Sequence, residues 1–248
     1  MDNEKENGSS IYVVASSIVV AGLIIAGSII YSNSNKGKTA EVPTGGAVAA
    51  DTLGGANGGE IKLRSIDANE HIIGDINAPV KLVIYSDLEC PFCKMFHETL
   101  RGEVQNNYVS KGKVVMVFRN FPLEQLHSKA KKEAEASECA ASLGGNEKFW
   151  EFLDGVFAVT PSNNGLDPAE LPKIAEKIGL KKGDFEKCLN GEEMAKVVEK
   201  DLRDGAGAGA QGTPYSVVIA ANGKKSIIPG ALPYEQIKPI LDKALSEK

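Results

Sequence analysis

The chain has 248 residues, 42% of them hydrophobic and 25% charged. Those proportions exclude wholesale disorder, and a formal net charge of −5 lacks the basic footprint of a nucleic-acid binder. Four cysteines are too few for a disulfide-dense scaffold, yet the count is even and two of them form a CxxC.

Residues 1–10 form a short polar tail. Ile11 to Tyr31 is an uncharged apolar run of 21 residues. As a helix it would reach roughly 30 Å, the thickness of a bilayer core. Tyr12 and Tyr31 sit at its ends, as interface aromatics do. We read 11–31 as an uncleaved single-pass anchor (a signal-anchor). The alternative is a cleaved signal peptide, but the run exceeds the usual apolar region of about 7–15 residues. The small residues Ala47-Val48-Ala49 lie far beyond it. Lys5 precedes the span and Lys36 and Lys38 follow it, which by charge alone would place the bulk of the chain in the cytoplasm. The cysteine chemistry below argues for the opposite side. Residues 32–60 are rich in Gly, Ser, Asn and Ala, cannot bury enough surface to order themselves, and read as a flexible linker. The remaining 188 residues, 61–248, suffice for one domain with an insertion.

Within that domain, Val80 to Tyr85 is an apolar, β-branched run that predicts a buried strand, and Ser86 to Glu89 a short connector. Cys90-Pro91-Phe92-Cys93 follows. Phe92, Phe96, Leu100, Val104 and Tyr108 then recur every four residues, predicting an amphipathic helix of about five turns up to Gly112. Lys113 to Phe118 predicts a second strand, parallel to the first. Pro91 fits the first helical position, where a missing N–H costs nothing. Cys90 then sits where free N–H groups and the helix dipole favour a thiolate, with Cys93 within disulfide reach. One exposed, activated sulfur beside a sheltered one can exchange dithiol and disulfide without a cofactor. A zinc site would need a second closely spaced ligand pair, and none is present.

Downstream, Gly212-Thr213-Pro214-Tyr215 leads into Ser216–Ala220, then Asn222-Gly223 and Lys225–Ile228, a hairpin signal. A proline opening such a strand is explained by a cis Thr213–Pro214 bond. Pro233 to Leu245 reads as a final helix that Pro239 should kink. Gly205–Gly212 reads as a flexible lead into the proline turn. His71, His97 and His127 show no metal spacing and read as surface or packing residues. Cys139 and Cys188 lie on separate helical stretches. We expect a structural disulfide between them, with two buried free thiols as the alternative.

DLECPFC after a buried strand, followed much later by GTPYSVVI, a hairpin and a helix, resembles the DsbA-type branch of thioredoxin-fold thiol:disulfide oxidoreductases. The resemblance runs from about His71 to the C-terminus. It implies an α/β thioredoxin-like fold interrupted by a helical insertion, here about 126–206. It further implies Cys90 as nucleophile, Cys93 as resolving cysteine, and a substrate groove of Thr213 and cis Pro214 with Pro91 and Phe92. The extracytoplasmic setting is likewise implied. The acid that relatives often bury six residues before the first cysteine is Ile84 here. Asp87 and Glu89 could handle the proton instead, although both read more readily as solvated connector residues. Phe92 replaces the histidine of strongly oxidising members, so a less oxidising pair is expected.

These readings lead to a membrane-anchored enzyme that oxidises cysteines of exported client proteins. A membrane redox partner would recycle it, and neither cofactor nor nucleic acid takes part. A reductase or isomerase of the same fold, or a non-catalytic binding module, is the alternative.

Overall fold

A computed structural model describes residues 61–67 and 69–247. The anchor at 11–31 and the linker at 32–60 lie outside the described residues. Among the described residues no helix is long and apolar enough to cross a membrane.

Five strands form one sheet in the order β1-β3-β2-β4-β5. They are β1 (His71–Ile73), β2 (Val80–Ser86), β3 (Val114–Asn120), β4 (Tyr215–Ile219) and β5 (Lys225–Pro229). β2 and β3 are parallel, and the other neighbours are antiparallel. Central β2 is buried on both faces and sorts its side chains with a period of two. Leu82 and Ile84 pack towards Phe96, Leu100 and Ile237, whereas Val83 and Tyr85 pack towards Val117, Phe121 and Val217.

Helix α1 (Pro91–Thr99) does not continue as a plain α-helix. It passes into wide π-type turns over Leu100–Val109, closed by bonds such as Ser110 N–H to the Gln105 carbonyl at 2.9 Å. A strict spacing of four drifts around a helix of 3.6 residues per turn, and wider turns reverse the drift. Phe96, Leu100, Val104 and Tyr108 therefore all stay buried against the sheet, while Phe92 points outward. Helix α6 (Tyr234–Ser246) covers the same face through Ile237, Leu241 and Ala244, and it continues across Pro239.

The insertion comprises α2 (Ala130–Val159), α3 (Glu170–Lys177), α4 (Lys182–Leu189) and α5 (Glu193–Gly207). Helix α2 bends at Gly145, whose φ of 78° suits glycine. Its core of Phe149, Phe152, Leu153, Phe157, Ile174 and Phe185 is continuous with Cys90, Cys93 and Phe118. Cys139 on α2 and Cys188 on α4 form a disulfide. Gly205 is no flexible lead. It lies within α5, and a Cβ there would fall 2.5 Å from the Phe121 ring and 2.9 Å from that of Tyr85.

β3 runs two residues further than its apolar pattern, through Arg119 and Asn120, because both find buried partners. Fully buried Arg119 pairs with Glu70 at 2.9 Å and with Asp204, and Asp204 also accepts from Tyr85. Arg64 joins through Glu70 at 3.1 Å and Asp201 at 2.8 Å. Burial pushes the Asp201 carboxyl up to about 6, against the pull of Arg64. Asn120 donates to Glu138 at 2.8 Å, and Glu138 also meets His71 at 2.9 Å. His71 thus belongs to a strand and an ion pair, stacked on Phe149, rather than to a surface loop. Arg119→Met should fill most of the volume but take the buried cation from two carboxylates, leaving Glu70 to Arg64 and Asp204 to Tyr85, at a cost of roughly 3 kcal/mol in urea unfolding. A loss below about 1 kcal/mol would mean that the cluster adds little stability.

Candidate functional site

At the end of β2 the backbone turns through Ser86–Glu89, with Cys90 N–H bonded to the Asp87 carbonyl at 3.2 Å. Cys90 is the N-cap of α1, in extended conformation, and Pro91 opens the helix. Cys93 lies one turn further, on the buried face. The chain returns to this point at the start of β4, where the Thr213–Pro214 peptide is cis. The Cys90 thiol donates to the Thr213 carbonyl at 3.6 Å. The structure therefore gathers Cys90, Cys93, Thr213 and Pro214, separated by more than a hundred residues in sequence, at one end of the sheet.

The two sulfurs occupy opposite environments. Hydrogen bonding from Cys93, aided by Thr213 and the Phe92 backbone, lowers the Cys90 thiol to about 6 against the opposing effect of burial. Thr213 Oγ1 has no other partner and is free to donate to a thiolate. Cys93 is pushed well above the ordinary range, first by burial and then by the neighbouring Cys90. Its sulfur accepts the Asp87 N–H at 3.4 Å. Cys90 is itself 5% exposed, so the attacking sulfur is less open than the sequence suggested. Apolar Phe92 and Met95, 58% and 51% exposed, flank it.

Asp87 and Glu89 are not solvated connectors; both are fully buried. One Asp87 oxygen accepts from Leu123 N–H at 2.8 Å and faces His127 Nδ1 at 2.9 Å, and the other accepts Glu89 N–H at 2.8 Å. The Glu89 carboxyl accepts from Gly165 and Leu166 at 3.2 and 3.3 Å, and its carbonyl accepts Asn163 N–H at 2.8 Å. This holds Ser162, Asn163 and Asn164, three consecutive residues with φ between 54° and 64°. Behind them Glu133 is driven up to about 9, by burial and then by the neighbouring carboxyl of Glu89. His127 thus belongs to a buried carboxyl cluster. His97 is also buried, paired with Asp154 at 2.7 Å. Sequence reasoning missed Glu133 and His97, although His97, four residues after Cys93, shares its helix face.

A family model described as thioredoxin matches residues 67–243. Disulfide bond formation protein D of Bacillus subtilis is 27% identical over 180 residues, covering 71% of this chain and 78% of that protein. The crystal structure of oxidised BdbD from Bacillus subtilis superposes with a TM-score of 0.63 at 27% identity, covering 71% of this chain and 93% of the other. The Na(+)/H(+) antiporter NhaA 3 of Salinispora tropica is 34% identical over 178 residues, or 71% of this chain. This chain spans only 25% of that antiporter's length.

Alkylation of the reduced protein by iodoacetamide should switch on around pH 6 at Cys90 alone, as the thiol gives way to thiolate, and peptide mapping reads it. Thr213→Val should move that midpoint upward; equal labelling of both cysteines would contradict the assigned asymmetry. Glu133 carries a separate pH signature. Its folded-state carboxyl sits above the unfolded value of 4.5, so its penalty is absent below about 4.5, grows as pH rises and is complete above about 9. Glu133→Gln should therefore raise the melting temperature at pH 8 by roughly 4 °C, equivalent to ~1–2 kcal/mol, and leave it unchanged at pH 4.5. An equal shift at both values would rule out that linkage.

Proposed function

The chain belongs to the thioredoxin family, and on that premise we propose that it is a DsbA-like protein thiol:disulfide oxidoreductase that introduces disulfides into exported proteins. The observation that carries this reading is the unequal pair at the mouth of α1: Cys90 lowered and bonded to the Thr213 carbonyl ahead of cis Pro214, Cys93 raised and buried. In the oxidised enzyme a client thiolate attacks Cys90 Sγ. A client–Cys90 disulfide forms, the Cys90–Cys93 bond breaks, and its electron pair leaves on Cys93. A second client thiolate then attacks the client sulfur, forms the client disulfide and expels Cys90, which leaves readily because its thiolate is stabilised. The client loses two electrons and the pair gains them; a membrane redox partner takes them away.

Thr213 and cis Pro214, with Pro91 and Phe92, would form the groove that holds the client strand beside Cys90. The exposed ring of Phe92 and thioether of Met95 suit apolar segments of incompletely folded clients. In this reading residues 11–31 anchor the chain in the bilayer and 32–60 tether a catalytic domain of 61–248 on the extracytoplasmic side. The Cys139–Cys188 disulfide supports that compartment, because such bonds persist where the medium is oxidising.

One feature favours a weaker oxidant. Phe92 between the cysteines offers no positive charge to a thiolate, so the potential should lie below the roughly −120 mV of the strongest oxidants of this fold. Equilibration with glutathione measures it, alongside oxidative refolding of a reduced model substrate. Wild type should speed refolding, Cys90→Ser should abolish the effect, and Cys93→Ser should accumulate a mixed disulfide with the client. Undiminished client handling by Cys90→Ser would instead identify a binding module. A potential near −270 mV, typical of a reducing thioredoxin, would reverse the direction of electron flow.

A further inference from the structure

A small cavity lies beneath Cys93, walled by Ile84, Ser86, Cys93, Phe96, His97 and Trp150, with room for about one water molecule. Cys93 and His97 are the only titratable side chains in its walls. Trp150 is 6% exposed and its indole N–H has no partner. Its lining is mostly apolar, and Ser86, Cys93, His97 and Trp150 are the residues in its walls that could hold a water there.

We propose that His97 carries the proton that Cys93 gains and loses, across this cavity, and that Asp154 and Arg101 position it for that role. The proposal rests on the redox reading of Cys90 and Cys93. Imidazole is the side chain suited to moving a proton both ways near neutral pH. His97 Nε2 meets Asp154 Oδ1 at 2.7 Å, and Arg101 grips the same carboxylate at 3.0 and 2.6 Å. The Asp154 side chain is 37% exposed, so the pair connects the buried thiol with solvent. Burial works against the Asp154 carboxylate, but its bonds to His97 and Arg101 prevail and hold it below the usual range.

Asp154 and Phe157 face His97 from α2, the Phe157 ring at 4.7 Å, and Arg101 joins from the helix extension. Around the cavity β2 and β3 contribute Ile84, Ser86, Met116 and Phe118, none of them charged. The rival carboxyls are spoken for: Asp87 and Glu89 bond to backbone N–H groups and do not line the cavity. When a client thiolate opens the Cys90–Cys93 disulfide, the electron pair lands on Cys93. The imidazolium of His97 gives up a proton through the water, the S–H bond forms, and His97 regains a proton from solvent on the Asp154 side. When Cys93 later closes the disulfide, the proton returns along the same route.

The test is single-turnover reduction of the oxidised full chain by dithiothreitol, followed through the fluorescence of Trp150, the single tryptophan, from pH 4.5 to 8.5. After correction for the thiolate fraction of dithiothreitol, wild type should show one remaining inflection. His97→Gln should lose that inflection and run roughly a hundredfold slower at pH 6, the low end of what positioned acid–base groups supply. Asp154→Asn should keep the inflection but slow the reaction several-fold at pH 6, because the imidazole loses the carboxylate that positions it. Alkylation of Cys90 in the reduced variants should match wild type. A uniform loss of rate in His97→Gln, with the inflection retained, would overturn the proton route and leave a packing role. So would a wild-type profile without the inflection. If His97→Gln does not fold, an unchanged rate at pH 6 in Asp154→Asn overturns the proposal by itself. If Cys90 exchanges no disulfide in wild type, the redox reading falls and the proton route with it.

Discussion

The turn between β2 and α1 buries the carboxyl groups of Asp87 and Glu89, and a carboxyl group cut off from water must be given hydrogen-bond donors. The chain supplies them from segments that would otherwise be free to move. Leu123 and His127 come from the lead into α2, and Gly165 and Leu166 from the loop after it. Each bond therefore serves twice, satisfying a buried acid and pinning a loop beside the cysteines. The left-handed run Ser162–Asn164 is held by Glu89 alone, through its carbonyl at Asn163 and its carboxylate at Gly165 and Leu166, its strain offset by those bonds. The insertion is thus fastened to the thioredoxin-like part at the one place where chemistry needs a fixed frame.

That frame separates two chemically identical thiols. Cys90, at the open end of α1, has donors waiting for a negative charge, while Cys93, three residues on, faces the apolar core of the insertion. The interaction between them raises one and lowers the other, so a small displacement of either would blunt both. Three constraints prevent it: the proline at the first helical position, the Asp87 N–H on Cys93 and the returning Thr213–Pro214 segment. On the other face of the same end of the sheet, the Arg119 cluster beside Tyr85 ties Glu70 and Arg64 to β3 and α5.

The strands and α1 were legible because burial on two faces leaves an unbroken apolar run and burial on one face leaves a helical period. The CPFC turn was legible because its meaning depends on neighbours in sequence. What stayed hidden were polar residues inside. Arg119 and Asn120 ended the apolar pattern of β3 although the strand continues, since their partners lie 49 and 18 residues away in Glu70 and Glu138. Asp87 and Glu89 looked solvated for the same reason: a short acidic connector reads as surface unless its donors, up to 77 residues distant, are known. The wide turns after Thr99 left a trace in the strict spacing of four, which a uniform α-helix does not hold on one face.

Ile84 brings these threads together. It sits on the face of β2 that packs under α1, in the wall next to Cys93, where an acid would have to be buried without any charged neighbour from β2 or β3. The sheet side of the thiol accordingly carries no charge, and the proposed proton route runs on the helix side. There the spacing of one turn puts His97 below Cys93, and α2 brings Asp154, still partly wet, to its outer edge. A histidine answering to a half-exposed carboxylate exchanges its proton with solvent more easily than a sequestered acid on the strand, which has to be desolvated in both protonation states. An apolar residue at position 84 and the His97–Asp154 hydrogen bond between α1 and α2 are then two parts of one arrangement. The helical insertion thus supplies Asp154 beside His97 as well as the apolar cover over Cys93.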